Sequence, residues 1–210
     1  MNSMQNITVY CGSNLGLTPD YYYAAKQMGK AIAKRGSHLV YGGGSAGLMG
    51  VLADSVLEHG GLATGVIPHF LDEKEVAHKG LTKLIMTETM SQRKLKMIEL
   101  ADAYIAMAGG LGTYEELFEV LSNAQLELDN SPIGLLNTNG FFNPLLDLLK
   151  NTADCGFMPA DNLKLVCVSD DPEILLNQMA HYTPTKTIKW QHPDWYDELI
   201  KNPKINEQLY

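Results

Sequence analysis

The sequence contains no stretch of roughly 18 or more apolar residues, the length a helix needs to span a bilayer. Its start, MNSMQNITVY, lacks the basic end and apolar core of a signal peptide. These absences predict a cytoplasmic chain with no membrane partner. Cysteine is scarce: Cys11, Cys155 and Cys167 are odd in number, far apart and never spaced as CxxC. That pattern suits reduced thiols and excludes a disulfide framework or a cysteine-based zinc site. The six histidines form no HExxH or other paired-ligand pattern, so no metal is expected. Positive charge is in deficit too. The formal net charge is −8, from 16 Lys and Arg against 24 Asp and Glu, which argues against a nucleic-acid polymer as partner. A small phosphorylated ligand stays open, because one phosphate needs only a nest of backbone N–H groups and one or two cations.

What is present is an alternation. The 210 residues, 45% hydrophobic, suffice for one substantial core, and a single domain over residues 1–180 is expected, with residues 181–210 as a C-terminal appendage. Short β-rich runs (NITVYC, HLVY, LATGVI, LTKLIM, AYIAMA, PIGLL, LVCV) alternate with stretches of helical periodicity. The helices are expected over Pro19 to Arg35, Leu48 to His59, Met90 to Leu100, Thr113 to Leu126, Phe142 to Lys150 and Pro172 to Met179. This rhythm predicts an α/β, doubly wound, mostly parallel and Rossmann-like sheet with helices on both faces. The polar interruption from Pro68 to Gly80 is longer than a usual connection and reads as a binding loop or lid.

In such a sheet ligands bind beyond the carboxyl ends of the strands, and three loops there are rich in glycine: CGSNLG, GGGSAGLMG and AGGLGT. The third, Gly109-Gly110-Leu111-Gly112-Thr113-Tyr114-Glu115-Glu116, runs from a strand into a helix. Glycines let a phosphate approach the backbone, and the helix start offers unpaired N–H groups and partial positive charge. It is neither a Walker A loop nor a GxGxxG fingerprint. The plain alternative is a capping box, with Thr113 as the cap and Glu116 closing the turn. A carboxylate beside a bound sugar would instead stabilise the oxocarbenium character of a breaking glycosidic bond. GGGSAGLMG, from Gly42 to Gly50, reads either as a second phosphate or ribose turn or as close helix packing. Met90-Ser91-Gln92-Arg93-Lys94 opens a helix with two cations, which opposes the helix dipole and so suggests another role for them. Met86, Met90, Met97 and Met107 read as core filling, with one available to line a base pocket. Cys11 is a candidate nucleophile or simply a small buried residue ending a strand.

GGGSAGLMG, then MSQRK, then AGGLGTYEE, in this order and spacing, resemble the Lonely Guy family of cytokinin-activating phosphoribohydrolases, formerly labelled lysine decarboxylase-like. The likeness covers most of residues 6 to 180. It implies hydrolysis of a cytokinin riboside 5′-monophosphate or of AMP, without metal or organic cofactor, by a homodimer. The family's catalytic arginine and glutamate fall on Arg93 and Glu116. Its phosphate turn falls on Gly109, Gly110, Gly112 and Thr113. Further substrate contacts fall on Met90, Glu75, Lys94, Glu115 and Ser122, with Ser13, Gly43 and Gly44 at the mouth of the site. Two positions depart from the pattern: Ala108 stands where the family has proline, and Ser91 where it has histidine. The Ala108 change is expected to free the chain before the turn. Two other readings compete: a non-catalytic nucleotide-sensing module, and a pyridoxal phosphate decarboxylase, for which Lys94 is the nearest lysine.

Overall fold

The computed structural model describes residues 2–71, 77–185, 193 and 195–197. Seven strands form one sheet, parallel at every pairing: β1 (Asn6–Tyr10), β2 (His38–Tyr41), β3 (Leu62–Pro68), β4 (Lys83–Thr87), β5 (Ala103–Ala106), β6 (Ile133–Leu136) and β7 (Val166–Ser169). The helices are α1 (Pro19–Lys34), α2 (Gly47–Glu58), α3 (Met90–Leu100), α4 (Leu111–Gln125), α5 (Asn143–Asp154) and α6 (Pro172–Ala180). Sheet order is β4-β3-β2-β1-β5-β6-β7, so the chain winds outward from β1 to β4, returns through α3 and winds the other way from β5. The reversal lies between β1 and β5, where a doubly wound sheet opens its ligand crevice.

Burial explains the continuous apolar runs. β1, β2, β3, β5 and β6 are covered on both faces, as in parallel sheets generally. On one face α1, α2 and α6 close a core built from Ile7, Val9, Leu39, Met28, Ile32, Leu52 and Leu176. On the other, α3, α4 and α5 cover Tyr10, Val66, Tyr104, Leu117, Val120 and Leu135. Helix α1 begins with Pro19 at its first turn and buries Ala24, Ala25, Met28, Ala31 and Ile32, a stripe at helical spacing. Helix α2 packs on α1 and is fastened by Ser55 Oγ, which donates to the Lys26 carbonyl at 2.6 Å. Among the described residues no helix is long and apolar enough to cross a membrane. The C-terminal appendage falls largely outside them.

Three tyrosines are shut away from water in this core: Tyr10, Tyr41 and Tyr104. Burial pushes each phenol's pKa up. The neighbouring Glu116 adds to the effect at Tyr10, and the hydrogen bond to Asp129 adds to it at Tyr104. The unfolded chain therefore releases these protons first. Their stabilisation is complete below about pH 10 and is lost above it, at about 1.4 kcal/mol per pH unit for each phenol. Urea midpoints measured from about pH 8 to about pH 11 should fall steeply above about pH 10. The Tyr41 hydroxyl has no hydrogen-bond partner among the described residues. Tyr41→Phe should accordingly be at least as stable at neutral pH and show a shallower alkaline decline.

Candidate functional site

Two glycine turns meet at the β1/β5 reversal. The pairing of these strands continues past their ends: Met107 N–H donates to the Tyr10 carbonyl at 2.9 Å, and Gly12 N–H donates to the Ala108 carbonyl at 3.0 Å. The turn after β1 also accepts from α2, through Leu48 N–H to the Gly12 carbonyl at 3.0 Å. Ala108, at the position where the family has proline, gives its carbonyl to this ladder. Gly109 is required sterically: a Cβ there would lie 2.1 Å from Thr113 Oγ1 and 2.9 Å from Gly12 N.

Helix α4 starts at Leu111, with Gly110 in extended conformation as its N-cap. The capping-box alternative for Thr113 and Glu116 is thereby overturned. Thr113 sits inside the first turn, and the N-cap residue, a glycine, has no side chain to offer. The N–H groups of Leu111, Gly112 and Thr113 precede the first intrahelical acceptor and face the open end of the helix. A Cβ on Gly110 or Gly112 would meet nothing within 4 Å, so these two positions border open space. Three residues apart on one side of α4, Thr113 and Glu116 are both buried, at 4% and 8% exposure.

A variant of the capping box lies at the start of α3: Thr89 accepts from Gln92 N–H at 3.1 Å, and Gln92 Oε1 reaches one residue past the N-cap to accept from Glu88 N–H at 2.9 Å. It sets the rotation of α3 and sends Arg93 inward, to 6% exposure. Arg93 Nε donates to the Val66 carbonyl at 3.0 Å, and Nη2 donates to the Gly42 carbonyl at 3.1 Å. The remaining nitrogen, Nη1, lies 3.8 Å from Met90 Sδ and 4.0 Å from Glu116 Oε1. A Cβ on Gly42 would lie 2.0 Å from Arg93 Nη2, so a side chain there would displace the guanidinium.

Arg93, Glu116, Thr113, Gly110, Gly112, Met90 and Ser13 therefore converge on one cleft of about 210 Å³. Val9, Tyr10, Cys11, Gly12, Gly42, Met49 and Leu111 also line it. Gly42 and Met49 fall in the GGGSAGLMG run read from the sequence as a ligand turn. Val9 and Tyr10, at the end of β1, carry no motif signal. Gly43 and Gly44 are buried and do not line the cleft. Gly109 borders an adjoining, more apolar cleft with Tyr21, Leu48 and Phe141.

Other expected contacts are not brought together. Lys94 points to α4, where its ammonium pairs with Glu115 at 2.8 Å and Glu119 at 3.0 Å; these bonds raise its pKa. Neither Lys94 nor Glu115 lines the cleft. Ser122 lies nine positions beyond Thr113, about 13.5 Å along the helix, in a groove between α4 and α5. Glu75, with residues 72–76 in the middle of the expected lid, lies outside the described residues.

The chain matches the family profile described as "Possible lysine decarboxylase" over residues 49–179. It is 45% identical over 168 residues to the cytokinin riboside 5′-monophosphate phosphoribohydrolase of Rhodococcoides fascians, covering 79% of this chain and 85% of that protein. It is 36% identical over 196 residues to the Arabidopsis thaliana protein of that name, LOG2, covering 93% and 89%. The probable rice counterpart, LOGL2, is 36% identical over 215 residues, covering 98% and 87%. Among solved structures, a molybdenum cofactor binding protein from Rippkaea orientalis superposes with a TM-score of 0.63 at 24% identity, covering 83% of this chain and 94% of that one. The molybdenum cofactor carrier protein of Chlamydomonas reinhardtii gives 0.61 at 22%, covering 84% and 98%. At such identity these two speak for the fold alone.

Cys11 is buried beside this cleft, and burial, reinforced by Glu116, pushes its thiol pKa up against the opposing effect of Arg93. A thiol held protonated is a poor nucleophile, so the reading of Cys11 as a small buried residue prevails. Alkylation of the native protein with iodoacetamide should label exposed Cys155 first, Cys167 more slowly and Cys11 only on unfolding. Peptide mass spectrometry reads the order, and early labelling of Cys11 would restore it as a candidate nucleophile.

Proposed function

Because this chain belongs to the Lonely Guy family of phosphoribohydrolases, we propose that it cleaves the N-glycosidic bond of a purine nucleoside 5′-monophosphate, cytokinin-type or AMP, releasing free base and ribose 5-phosphate. The observation that carries the reading is the convergence of one buried cation, Arg93, and one buried carboxylate, Glu116, at an open helix start.

In this reading the N–H groups of Leu111, Gly112 and Thr113, with the Thr113 hydroxyl, hold the 5′-phosphate at the positive end of α4. The bond from the anomeric carbon to the base nitrogen breaks, and its electron pair leaves with the base. Arg93 Nη1, the guanidinium nitrogen directed at the cleft, stabilises that negative charge; a guanidinium supplies no proton. Glu116 stabilises the ribosyl cation, orients water and takes its proton, which then passes to the base. Met49 and Met90 offer adaptable apolar walls for a flat purine.

Pyridoxal phosphate chemistry does not fit these residues. It requires a lysine amine that sheds its proton, whereas Lys94 is held charged by Glu115 and Glu119 and lies off the cleft. Because Ser122 lines a groove apart from the cleft, we assign any contact it makes with the ligand to a second copy of the chain. That accords with the homodimer the family resemblance implies, as does the exposed apolar surface of Phe118, Leu148 and Phe157 around Ser122.

Incubation with AMP and with isopentenyladenosine 5′-monophosphate, without added cofactor, should yield free base and ribose 5-phosphate on chromatography. Glu116→Gln and Arg93→Ala should each lower kcat by about 100-fold or more. Glu116→Gln is isosteric and should fold normally. Near-normal turnover in that variant would remove Glu116 from the mechanism, and persistence of both nucleotides with bound wild-type protein would favour the sensing module.

A further inference from the structure

The Gly42-Gly43-Gly44 run, whose first carbonyl holds Arg93, has no side chains with which to anchor itself. A glycine run has more backbone freedom to lose than any other, so the direction of its carbonyls depends on hydrogen bonds from outside. Gly43 also takes a left-handed backbone, φ +80°. The fastening comes from the segment that precedes β4. His78 N–H donates to the Gly43 carbonyl at 3.0 Å, and Ala77 pairs with Gly44 in an isolated antiparallel bridge.

The His78 ring is itself fixed at both nitrogens. Nδ1 accepts from Gly80 N–H at 3.0 Å, which places the ring proton on Nε2. Nε2 then donates to Asp54 Oδ1 at 2.9 Å. Asp54 stands on α2, the helix that follows the glycine run, so the imidazole ties the residues beside the run to the helix after it. The His78 side chain is 11% exposed and that of Asp54 62%. A pair with one partner in solvent contributes little to global stability. Its effect is therefore concentrated on local geometry.

We propose that His78 and Asp54 are positioning residues for Arg93, acting through the Gly42–Gly44 backbone. The proposal rests on the assignment of Arg93 to the reaction. If the Gly42 carbonyl shifts, Arg93 loses one of the two acceptors that aim Nη1 toward Glu116. A misaimed guanidinium weakens the transition state more than it weakens substrate binding.

The test compares Asp54→Ala, His78→Ala and Asp54→Asn on the full chain, with AMP as substrate. The two alanine variants should lose about tenfold in kcat with KM within about twofold, and Asp54→Asn, which keeps an acceptor oxygen, should recover most of the rate. Urea midpoints should change little for Asp54→Ala. Unchanged kcat in both alanine variants overturns the proposal. A second readout needs no turnover: by NMR, the Arg93 Nε–H should exchange with solvent about tenfold faster in Asp54→Ala than in the wild-type protein. Equal exchange overturns the proposal, whereas a wild-type protein that leaves AMP intact refutes the parent reading instead.

Discussion

The site depends on a guanidinium kept out of water. Removing an arginine from solvent costs several kcal/mol unless its donors are met, and Arg93 meets the requirement with two backbone carbonyls, those of Val66 and Gly42. Gly42 lies just past β2, and Val66 lies on β3 one residue beyond the end of its pairing with β2. From this one placement other constraints follow. Position 42 has no space for a side chain, α3 must begin at the rotation its capping box sets, and Glu116 must sit within range of the charge.

A second constraint is the ladder shared by the two glycine turns. Because hydrogen bonding between β1 and β5 runs on into Gly12 and Ala108, the turns behave as one backbone surface. Gly109 fits between Gly12 and Thr113 only because it has no Cβ. The start of α4 is thereby held relative to β1, and Thr113 and Glu116, three residues apart on that helix, inherit the placement. A rigid donor set of this kind costs no reorganisation when a ligand arrives.

Much of this was legible in the residues themselves. Alternating β-rich and helical stretches predict the doubly wound sheet, and every strand expected is present, all of them parallel. Glycine turns after strands point to the crevice, and Arg93 and Glu116 do converge there. The errors share one cause: spacing marks where a helix begins but not which neighbour turns inward. Thr113 and Glu116 match a capping box by pattern, yet Gly110 supplies the cap and the functioning box is Thr89 with Gln92. Adjacent Arg93 and Lys94 look equivalent, but one position rotates a side chain by about 100° around a helix, so one enters the sheet's edge and the other meets Glu115 and Glu119. Gly42 could not be preferred to Gly43 or Gly44 without knowing where the guanidinium points. Tyr10 belongs to no motif, and only the placement of β1 beside the crevice brings it to the cleft.

The charge pattern of the cleft bears on how labour is divided in the proposed reaction. Among its described lining residues Arg93 is the one permanent cation and Glu116 the one carboxylate, so their side-chain charges balance. These described residues offer no excess of positive side chains to a phosphate. Nor is Arg93 available as a two-pronged phosphate clamp, since Nε and Nη2 are already committed to carbonyls. In the proposed reaction phosphate recognition falls to the backbone N–H groups of α4 with the Thr113 hydroxyl, which do not change as the reaction proceeds and so bind ground state and transition state alike. Uniform binding of that kind raises affinity without raising turnover. The two groups not spent on the phosphate, Nη1 of Arg93 and the carboxylate of Glu116, oppose each other at 4.0 Å, as the opposite charges of a breaking glycosidic bond require: one facing the departing base, the other the sugar.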